Sequence, residues 1–212
     1  MAWTYDLVAW LVSFGQWTAW GRAVIPHLQG RRVLELAHGP GHLLVAMSRA
    51  GFAPVGLDLS PQMGRLAHKR VWGAGSSMPA LVRARAQALP FRAGSFDSVV
   101  SAFPTEFIFD PATLKEMARV MEQGGRAAVV VGVVFNASLP ARLLKRLYDA
   151  TYQQEPPPLG LADALADAGL TLERERERVG MVDVLIAVAK KQTRQPAAPR
   201  PGPGAASSHE PG

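Results

Sequence analysis

Cysteine is absent from this sequence of 212 residues. The chain therefore forms no disulfide, no zinc–thiolate site and no cysteine nucleophile, which suits a cytoplasmic protein. Long apolar runs are absent too: the best one, over residues 127–134, has the length of a buried strand and falls short of the ~20 residues of a membrane span. The N-terminus has no basic signal segment, and Asp6 interrupts the apolar run that a signal peptide needs. We expect a cytoplasmic protein, with contact to a membrane surface left open.

Clusters of positive charge are also missing, although the formal net charge is +6 and the pI is about 10.2. The basic residues are scattered and mostly arginine, and no run of about five like charges occurs. An arginine-rich solvated surface explains this pattern better than a nucleic-acid-binding tract does. We expect no nucleic-acid partner, and the sequence leaves the oligomeric state open.

The chain is organised around a glycine-containing loop between an apolar strand and an apolar helix. The strand carries Glu35 near its end, and the chain then turns through Gly39 and Gly41 into the helix. Glycines let the backbone approach a ligand, and the free N–H groups at a helix start favour anionic groups. About twenty residues further on, a second strand ends in Asp58, in position to accept hydrogen bonds from ribose hydroxyls. The sequence therefore predicts a nucleotide-type cofactor site.

The spacing of the glycines distinguishes between the two classes of cofactor that bind to such a loop. A dinucleotide fingerprint read from Gly39 and Gly41 requires a third glycine at Leu44, so an NAD-dependent oxidoreductase is disfavoured. Residues 33–41, V-L-E-L-A-H-G-P-G, instead resemble motif I of the class I S-adenosylmethionine-dependent methyltransferases, V-L-[DE]-x-G-x-G-x-G. Ala37 replaces the first glycine of that motif and adds one methyl group to the loop.

Further motifs in the family's order extend the resemblance over most of residues 31–135. They are V-G-L-D-L-S-P-Q-M at 55–63, A-L-P-F at 88–91 followed by S-F-D at 95–97, and R-V-M-E-Q-G-G-R at 119–126. The whole pattern resembles the small-molecule branch that includes the ubiquinone and menaquinone biosynthesis methyltransferases. The resemblance implies S-adenosyl-L-methionine as the cofactor and a small, apolar or aromatic molecule as the methyl acceptor.

The resemblance also implies which residues hold the cofactor. Glu35 would reach the methionine amine, Asp58 would hold the ribose, and Leu59 would pack on adenine. Family members often have an aspartate at the position of Arg85, where it accepts from the adenine amine; here the carbonyl of Gln87 or the neighbouring backbone would accept instead. The predicted cofactor-binding residues are Glu35, Ala37, His38, Gly39, Gly41, Asp58, Leu59, Ala86, Gln87 and Ser101.

Methyl transfer from a sulfonium gains most from alignment and needs a general base only for less acidic acceptors. Family members position the acceptor after the fourth strand, where residues 101–107 do not match the N-P-P-[YF] motif of amino-methylating nucleic-acid enzymes. In this segment we predict Glu106 as a polar substrate contact or base, and a solvent-facing loop carboxylate is the alternative. We expect His38 and His42 to pack the loop, and the residue set predicts no metal site.

Strands that alternate with helices predict an open, mainly parallel sheet. One predicted helix begins at Asp110-Pro111 and runs to about Glu122, before a turn at Gly124-Gly125. Residues 171–179 alternate Glu and Arg, so both faces of that strand are charged and it belongs at an edge, with the apolar residues 181–189 as its inner partner. We predict an α/β, Rossmann-like fold with a mainly parallel seven-stranded sheet, an antiparallel last strand and helices on both faces.

The ends of the chain differ in composition from this central domain. Trp3, Trp10 and Trp17 recur every seventh residue and give an N-terminal helix one bulky apolar face. We predict an aromatic helical cap over residues 1–30, a methyltransferase domain over 31–193 and a disordered Pro/Gly/Ala-rich tail over 194–212. The cap either packs on the domain or roofs an acceptor pocket together with a predicted helix over 139–152. Two alternative functions remain open: an RNA or protein methyltransferase, and an inactive interaction module with the same fold.

Overall fold

The computed structural model describes residues 17–74, 79–135 and 160–192. Most of the predicted cap, the predicted helix over 139–152 and the predicted tail lie outside the described residues. The helices are α1 (Trp17–Arg22), α2 (His42–Arg49), α3 (Pro61–Gly73), α4 (Pro111–Val120) and α5 (Leu161–Asp167), with short 3-10 helices at Ile25–His27 and Glu106–Phe109. The strands are β1 (Arg32–Leu36), β2 (Ala53–Leu57), β3 (Ala80–Val82), β4 (Phe96–Ala102), β5 (Met121–Phe135), β6 (Leu170–Val179) and β7 (Val182–Lys191).

The strands form one seven-stranded sheet in the order β3-β2-β1-β4-β5-β7-β6. Strands β1 to β5 are parallel to one another, and β7 runs antiparallel to both β5 and β6. This confirms the predicted α/β fold. It also confirms the predicted order of the last two strands, because the charged β6 lies at the edge and the apolar β7 lies inside.

Alternating residues of the central strands face two separate apolar layers. On one face Val33 packs with Trp20 of α1 and with Leu44 and Met47 of α2, while α3 adds Val71. On the other face the strands pack against α4, α5 and the 3-10 helix Glu106–Phe109, through residues that include Leu36, Ile108, Leu114, Met117 and Leu165. Because side chains alternate along a strand, Glu35 lies on the same face of β1 as Val33, toward α2.

The boundary between α4 and β5 differs from the prediction. The helix ends at Val120 rather than near Glu122, and Met121 already belongs to β5, where it is fully buried and pairs with Phe96. The register then jumps to Ser98 opposite Arg126, so residues 122–125 form a bulge within the strand. The predicted turn at Gly124-Gly125 lies in this bulge. Met121 belongs to the strand because its side chain is buried in the core there.

Asp97 fastens the beginning of β1 to the beginning of β4. One of its carboxylate oxygens accepts hydrogen bonds from the backbone N–H groups of Arg31 (2.8 Å) and Arg32 (2.9 Å), and the other accepts from Arg32 Nε (2.9 Å). Gly30 has a φ of +63°, and a Cβ there would lie 2.3 Å from Asp97. The aspartate of the S-F-D motif therefore holds the sheet together at the end away from the predicted site.

Ala37, the first residue after β1, adopts the left-handed backbone conformation with a φ of 53°. For a residue other than glycine this conformation costs about 1–2 kcal/mol. The alanine that replaces the first motif glycine therefore strains the loop through its backbone, in addition to the volume of its methyl group.

The Asp97 contacts predict a stability difference between the two carboxylates that bind Arg32. Burial raises the pKa of Asp97, but hydrogen bonds from Arg32 and from the Arg31 and Arg32 backbone outweigh it and hold the pKa below its ordinary value of 3.8. The stabilisation is therefore present above pH 3.8 and is lost as the pH falls through the lowered value. Asp97→Asn should reduce the free energy of unfolding by about 1–3 kcal/mol in urea titrations at neutral pH, and by less near pH 3.

Glu122 is the matched control, because it also binds Arg32 but its side chain is 44% exposed. Glu122→Gln should change the free energy of unfolding by less than about 0.5 kcal/mol. Equal losses in the two variants would contradict the role assigned to Asp97.

The strain at Ala37 predicts a stabilising substitution. Ala37→Gly should raise the free energy of unfolding by about 1 kcal/mol, because glycine adopts this φ without a steric cost. Ala46→Gly removes the same methyl group from the interior of α2 and should lower it by about 1 kcal/mol. Thermal and urea unfolding of the two variants measure the difference, and a loss of stability in Ala37→Gly would refute the strain.

Candidate functional site

The predicted site lies where the carboxyl ends of β1, β2 and β4 meet. Ser101 of β4 is fully buried, and its Oγ donates to the carbonyl of Leu36 at the end of β1 (2.8 Å). The backbone N–H of His38 donates to Leu57 at the end of β2 (3.2 Å). These contacts fasten the loop over residues 37–41 to both neighbouring strands.

Asp58 determines the conformation of this loop as well as facing the site. Its Oδ2 accepts from the backbone N–H of Gly39 (2.9 Å) and its Oδ1 from that of Ser60 (2.8 Å). Each carboxylate oxygen has a further lone pair, so the group is able to accept additional hydrogen bonds. Sequence reasoning missed the bond to Gly39, because it joins residues from two different loops.

The two glycines of the loop have different surroundings. Gly39 has a φ of +52°, and a Cβ added to it would meet no atom within 4 Å, so its backbone faces open space. Gly41 has a φ of +82°, and a Cβ there would lie 2.9 Å from Cβ of Ala67 in α3. Gly39 therefore leaves room for a ligand, whereas Gly41 allows α3 to pack closely against the start of α2.

Glu35 is a buried carboxylate, with only 3% of its surface exposed. Its Oε2 has no hydrogen-bond partner within the described residues. Burial, reinforced by repulsion from Asp58, raises the pKa of Glu35 well above its ordinary value of 4.5. A buried oxygen without a donor is unfavourable, so this position favours a ligand that carries a hydrogen-bond donor or a positive charge.

His38 packs the loop against β2. It is 4% exposed, and its Nδ1 donates to the carbonyl of Gly39 (2.7 Å). Its ring occupies the space beside Gly56, where an added Cβ would lie 2.8 Å from the ring. These contacts are those expected of a loop-packing residue.

A second group of predicted residues follows β2 and β3. Leu59 is 54% exposed beside Asp58, and Ala86 is buried. Gln87 Nε2 donates to Asp110 Oδ2 (3.1 Å), which leaves the Gln87 side-chain carbonyl available as an acceptor. Arg85 is exposed, and its side chain makes no hydrogen bond or ion pair with another described residue.

Glu106 is exposed at the start of its 3-10 helix, and its side chain makes no hydrogen bond or ion pair with another described residue. Phe103, the first residue after β4, has a φ of 52°, and its ring stacks on Trp17 with 4.1 Å between the centroids. Strained backbone outside glycine is concentrated at functional sites, and here it lies at the predicted acceptor position. Trp17 links that position to the N-terminal aromatic segment.

An open cleft of about 420 Å³ adjoins the loop and is lined by His38 and Asp58, the start of α3 and residues 81–83 of β3 and its end. Within the part of the chain that the structure describes, no group of His, Asp and Glu side chains is arranged to hold a metal ion. Among the same residues, no helix has the length and apolar character needed to cross a membrane.

Comparisons with known proteins agree with this geometry. A family described as a methyltransferase domain matches residues 34–129. The ubiquinone/menaquinone biosynthesis C-methyltransferase of Geotalea uraniireducens is 34% identical over 168 residues, which are 74% of this chain and 68% of that protein. The demethylmenaquinone methyltransferase of Thermus thermophilus is 37% identical over 59% of this chain and 60% of its own length. The chain thus spans about two thirds of the length of such relatives.

Solved structures share the fold at low sequence identity. The YcgJ protein of Bacillus subtilis superposes with a TM-score of 0.62 at 17% identity, over 82% of this chain and 98% of that one. The geranyl diphosphate C-methyltransferase of Streptomyces coelicolor gives a TM-score of 0.63 at 14% identity, over 82% and 79%. Sequence and fold agree that the chain belongs to the class I S-adenosylmethionine-dependent methyltransferase family, in the branch that resembles the ubiquinone/menaquinone biosynthesis enzymes.

Proposed function

We propose that this chain transfers a methyl group from S-adenosylmethionine to a small, apolar or aromatic acceptor in the cytoplasm. The observation that carries the proposal is the buried oxygen of Glu35 without a donor, beside a loop whose Gly39 backbone faces open space. The cofactor's methionine ammonium is a donor of the kind that this oxygen lacks. The names of the relatives, which refer to ubiquinone and menaquinone biosynthesis, support an aromatic ring as the acceptor.

We assign the remaining site residues from their hydrogen bonds and from their positions around the loop. Asp58 would accept from the ribose hydroxyls with the lone pairs that Gly39 and Ser60 leave free, Leu59 would pack on the adenine, and the Ala86 backbone is the alternative acceptor for the adenine amine. Gln87, held by Asp110, would accept from the adenine amine in place of the aspartate found in many family members. Ala37, His38, Gly41 and Ser101 would shape the loop rather than select the ligand.

When bound, S-adenosylmethionine supplies an electrophilic methyl group on a sulfonium. The chain's own contribution is to hold the acceptor in line and to exclude water. We propose that the cap over residues 1–30 takes part in this, because Trp17 stacks on Phe103 directly after β4. Glu106 would contact the acceptor or take its proton, since it begins the helix that follows this position.

Isothermal titration with S-adenosylhomocysteine tests cofactor binding, and labelled methyl transfer to a naphthoquinol without an isoprenoid tail tests the acceptor class. We expect saturable binding and one methyl group incorporated per acceptor. Absence of binding would favour the inactive interaction module. Binding with transfer only to RNA or protein would favour the other alternative.

Because Glu35 is buried, Glu35→Gln should stabilise the folded protein and weaken its binding of S-adenosylhomocysteine. Because the pKa of Glu35 is raised in the folded state, the protonated carboxyl group stabilises the folded protein fully below pH 4.5. That stabilisation is lost as the pH rises through the pKa of the folded state. At pH 8 the variant should therefore be more stable than the wild type by about 1 kcal/mol, or roughly 2–4 °C in Tm, and the two should converge near pH 5. Its affinity for S-adenosylhomocysteine should fall by about 1–3 kcal/mol.

Glu106→Gln is the matched control for this experiment. Because Glu106 is exposed, its substitution should change neither the Tm nor the affinity for S-adenosylhomocysteine, whereas methyl transfer should slow if Glu106 contacts the acceptor. Unchanged S-adenosylhomocysteine affinity in Glu35→Gln would refute the assignment of the ammonium site.

The orientation of Gln87 predicts base selectivity. Gln87→Leu should weaken S-adenosylhomocysteine binding about fivefold, the effect of losing roughly 1 kcal/mol of hydrogen bonding. It should also remove the preference over the hypoxanthine analogue, which has no exocyclic amine. Arg85→Leu, at an exposed neighbouring residue, serves as control and should alter neither quantity; retained selectivity in Gln87→Leu would transfer the adenine contact to the backbone.

A further inference from the structure

Three helices on one side of the sheet carry basic residues and no acidic ones. Between residues 17 and 74 the only acidic residues are Glu35 and Asp58, both in the candidate site, and residues 59–96 contain none. Helices α1, α2 and α3, which cover one side of the sheet, have no acidic residue. We call the basic side chains of these helices the basic face; they are Arg22, Arg49, Arg65, Lys69 and Arg70.

The opposite side of the sheet has a different balance. Helix α4 carries Glu116, whose carboxylate binds Arg119 of the same helix (2.6 Å), and α5 carries Asp163 and Asp167. The pairing of β6 with β7 places Glu173, Glu175 and Glu177 on the same side of the sheet as α1, where Glu177 binds His27 (3.0 Å). Arg174 and Arg176 lie on the opposite side. The basic face is therefore limited to the surface of α1 to α3, whereas the β6 edge on the same side of the sheet is acidic.

A pocket of about 280 Å³ lies within the basic face, between α1, α2 and the end of α3. Arg22, His42, Arg49 and Arg70 line it, and no acidic residue does. Arg70 donates to the carbonyl of Pro40 in the cofactor loop, whereas the side chains of Arg22 and Arg49 make no hydrogen bond or ion pair with another described residue. Guanidinium groups that converge without a carboxylate attract an anion, and their planar donor geometry suits a phosphate group.

An exposed tryptophan, Trp72, indicates that the phosphate group belongs to a membrane lipid rather than to a soluble compound. It lies one helical turn after Lys69 on α3, its ring stacks on that of His68 (6.1 Å between the centroids), and 71% of its surface is exposed. A tryptophan in water beside lysine and arginine is typical of the headgroup level of a membrane, where the ring is partly buried and the cations meet lipid phosphates. Among the described residues Trp72 is the only exposed side chain of the Trp, Tyr and Phe types, so together with His68 the face offers RNA one pair of rings rather than a series for base stacking.

We propose that the basic face docks this protein on an anionic membrane surface, with a lipid phosphate in the pocket between α1, α2 and α3. The proposal rests on the proposed function, because an apolar acceptor concentrates in the membrane. Both α2 and α3 begin at the candidate site, directly after Gly41 and Ser60, so docking through them brings the site close to the lipid.

Co-sedimentation of the full chain with phosphatidylcholine vesicles, with and without about 30% phosphatidylglycerol, tests the proposal. The wild type should bind the anionic vesicles and lose this binding as the salt rises from about 0.1 M to about 1 M. Arg49→Gln combined with Lys69→Gln should weaken it roughly 25-fold, about fivefold for each charge. Trp72→Ser should weaken it as well, while reducing the salt dependence less. Arg70 stays unchanged because it contacts the cofactor loop.

The matched control removes two exposed charges from the other side of the sheet, Arg92→Gln with Lys115→Gln, and should leave vesicle binding within about twofold. Melting curves and S-adenosylhomocysteine titrations of every variant establish folding and cofactor binding independently. A variant that loses vesicle binding but still binds S-adenosylhomocysteine tests the docking proposal alone. A variant that loses S-adenosylhomocysteine binding tests the proposed function alone.

Three results would overturn the proposal. Equal binding to neutral and anionic vesicles, or equal weakening by the control variant, would remove the role of the basic face. Release from anionic vesicles by millimolar inorganic phosphate, at constant ionic strength, would make the pocket a site for a soluble phosphate compound. Tighter binding to transfer RNA than to anionic vesicles at the same salt, lost in Arg49→Gln/Lys69→Gln, would identify the face as an RNA-binding surface.

Discussion

The hydrogen bond from the Gly39 N–H to the Asp58 carboxylate is the contact on which the rest of the site depends. It joins the loop after β1 to the end of β2, while the other oxygen of Asp58 accepts from Ser60 at the start of α3. One carboxylate therefore sets the starts of two helices and the width of the space between them. A residue assigned to ligand binding by its motif is in this fold also the residue that shapes the binding loop.

The two ends of the sheet have opposite energetic character. At the carboxyl end, Glu35 has an oxygen without a partner, and Ala37 and Phe103 adopt left-handed backbone conformations. At the other end Asp97 accepts hydrogen bonds from Arg31 and Arg32 and has no such deficit. Strain at a functional site persists only where surrounding structure over-determines it, and the contacts of Asp97 contribute to that support.

The sequence was most informative where pattern and local chemistry agree. The alternation of Glu and Arg predicted β6 at an edge, and the motifs predicted the family and its mainly parallel sheet. What it could not predict depends on partners distant in the chain. Met121 joins β5 because the core across from Phe96 accepts it, and the strain at Ala37 follows from a loop whose path Asp58 fixes.

The two edge strands of the sheet, β3 and β6, differ from each other, and both resist the addition of a further strand. Strand β3 is three residues long, too short to template another chain, and β6 offers ten residues whose side chains include alternating Glu and Arg. Natural proteins use short and charged outer strands to prevent their sheets from joining edge to edge. Self-association of this domain through continuous β-pairing is therefore unfavourable, and β-linked aggregates should begin from partly unfolded molecules in which the apolar β7 has lost its charged neighbour.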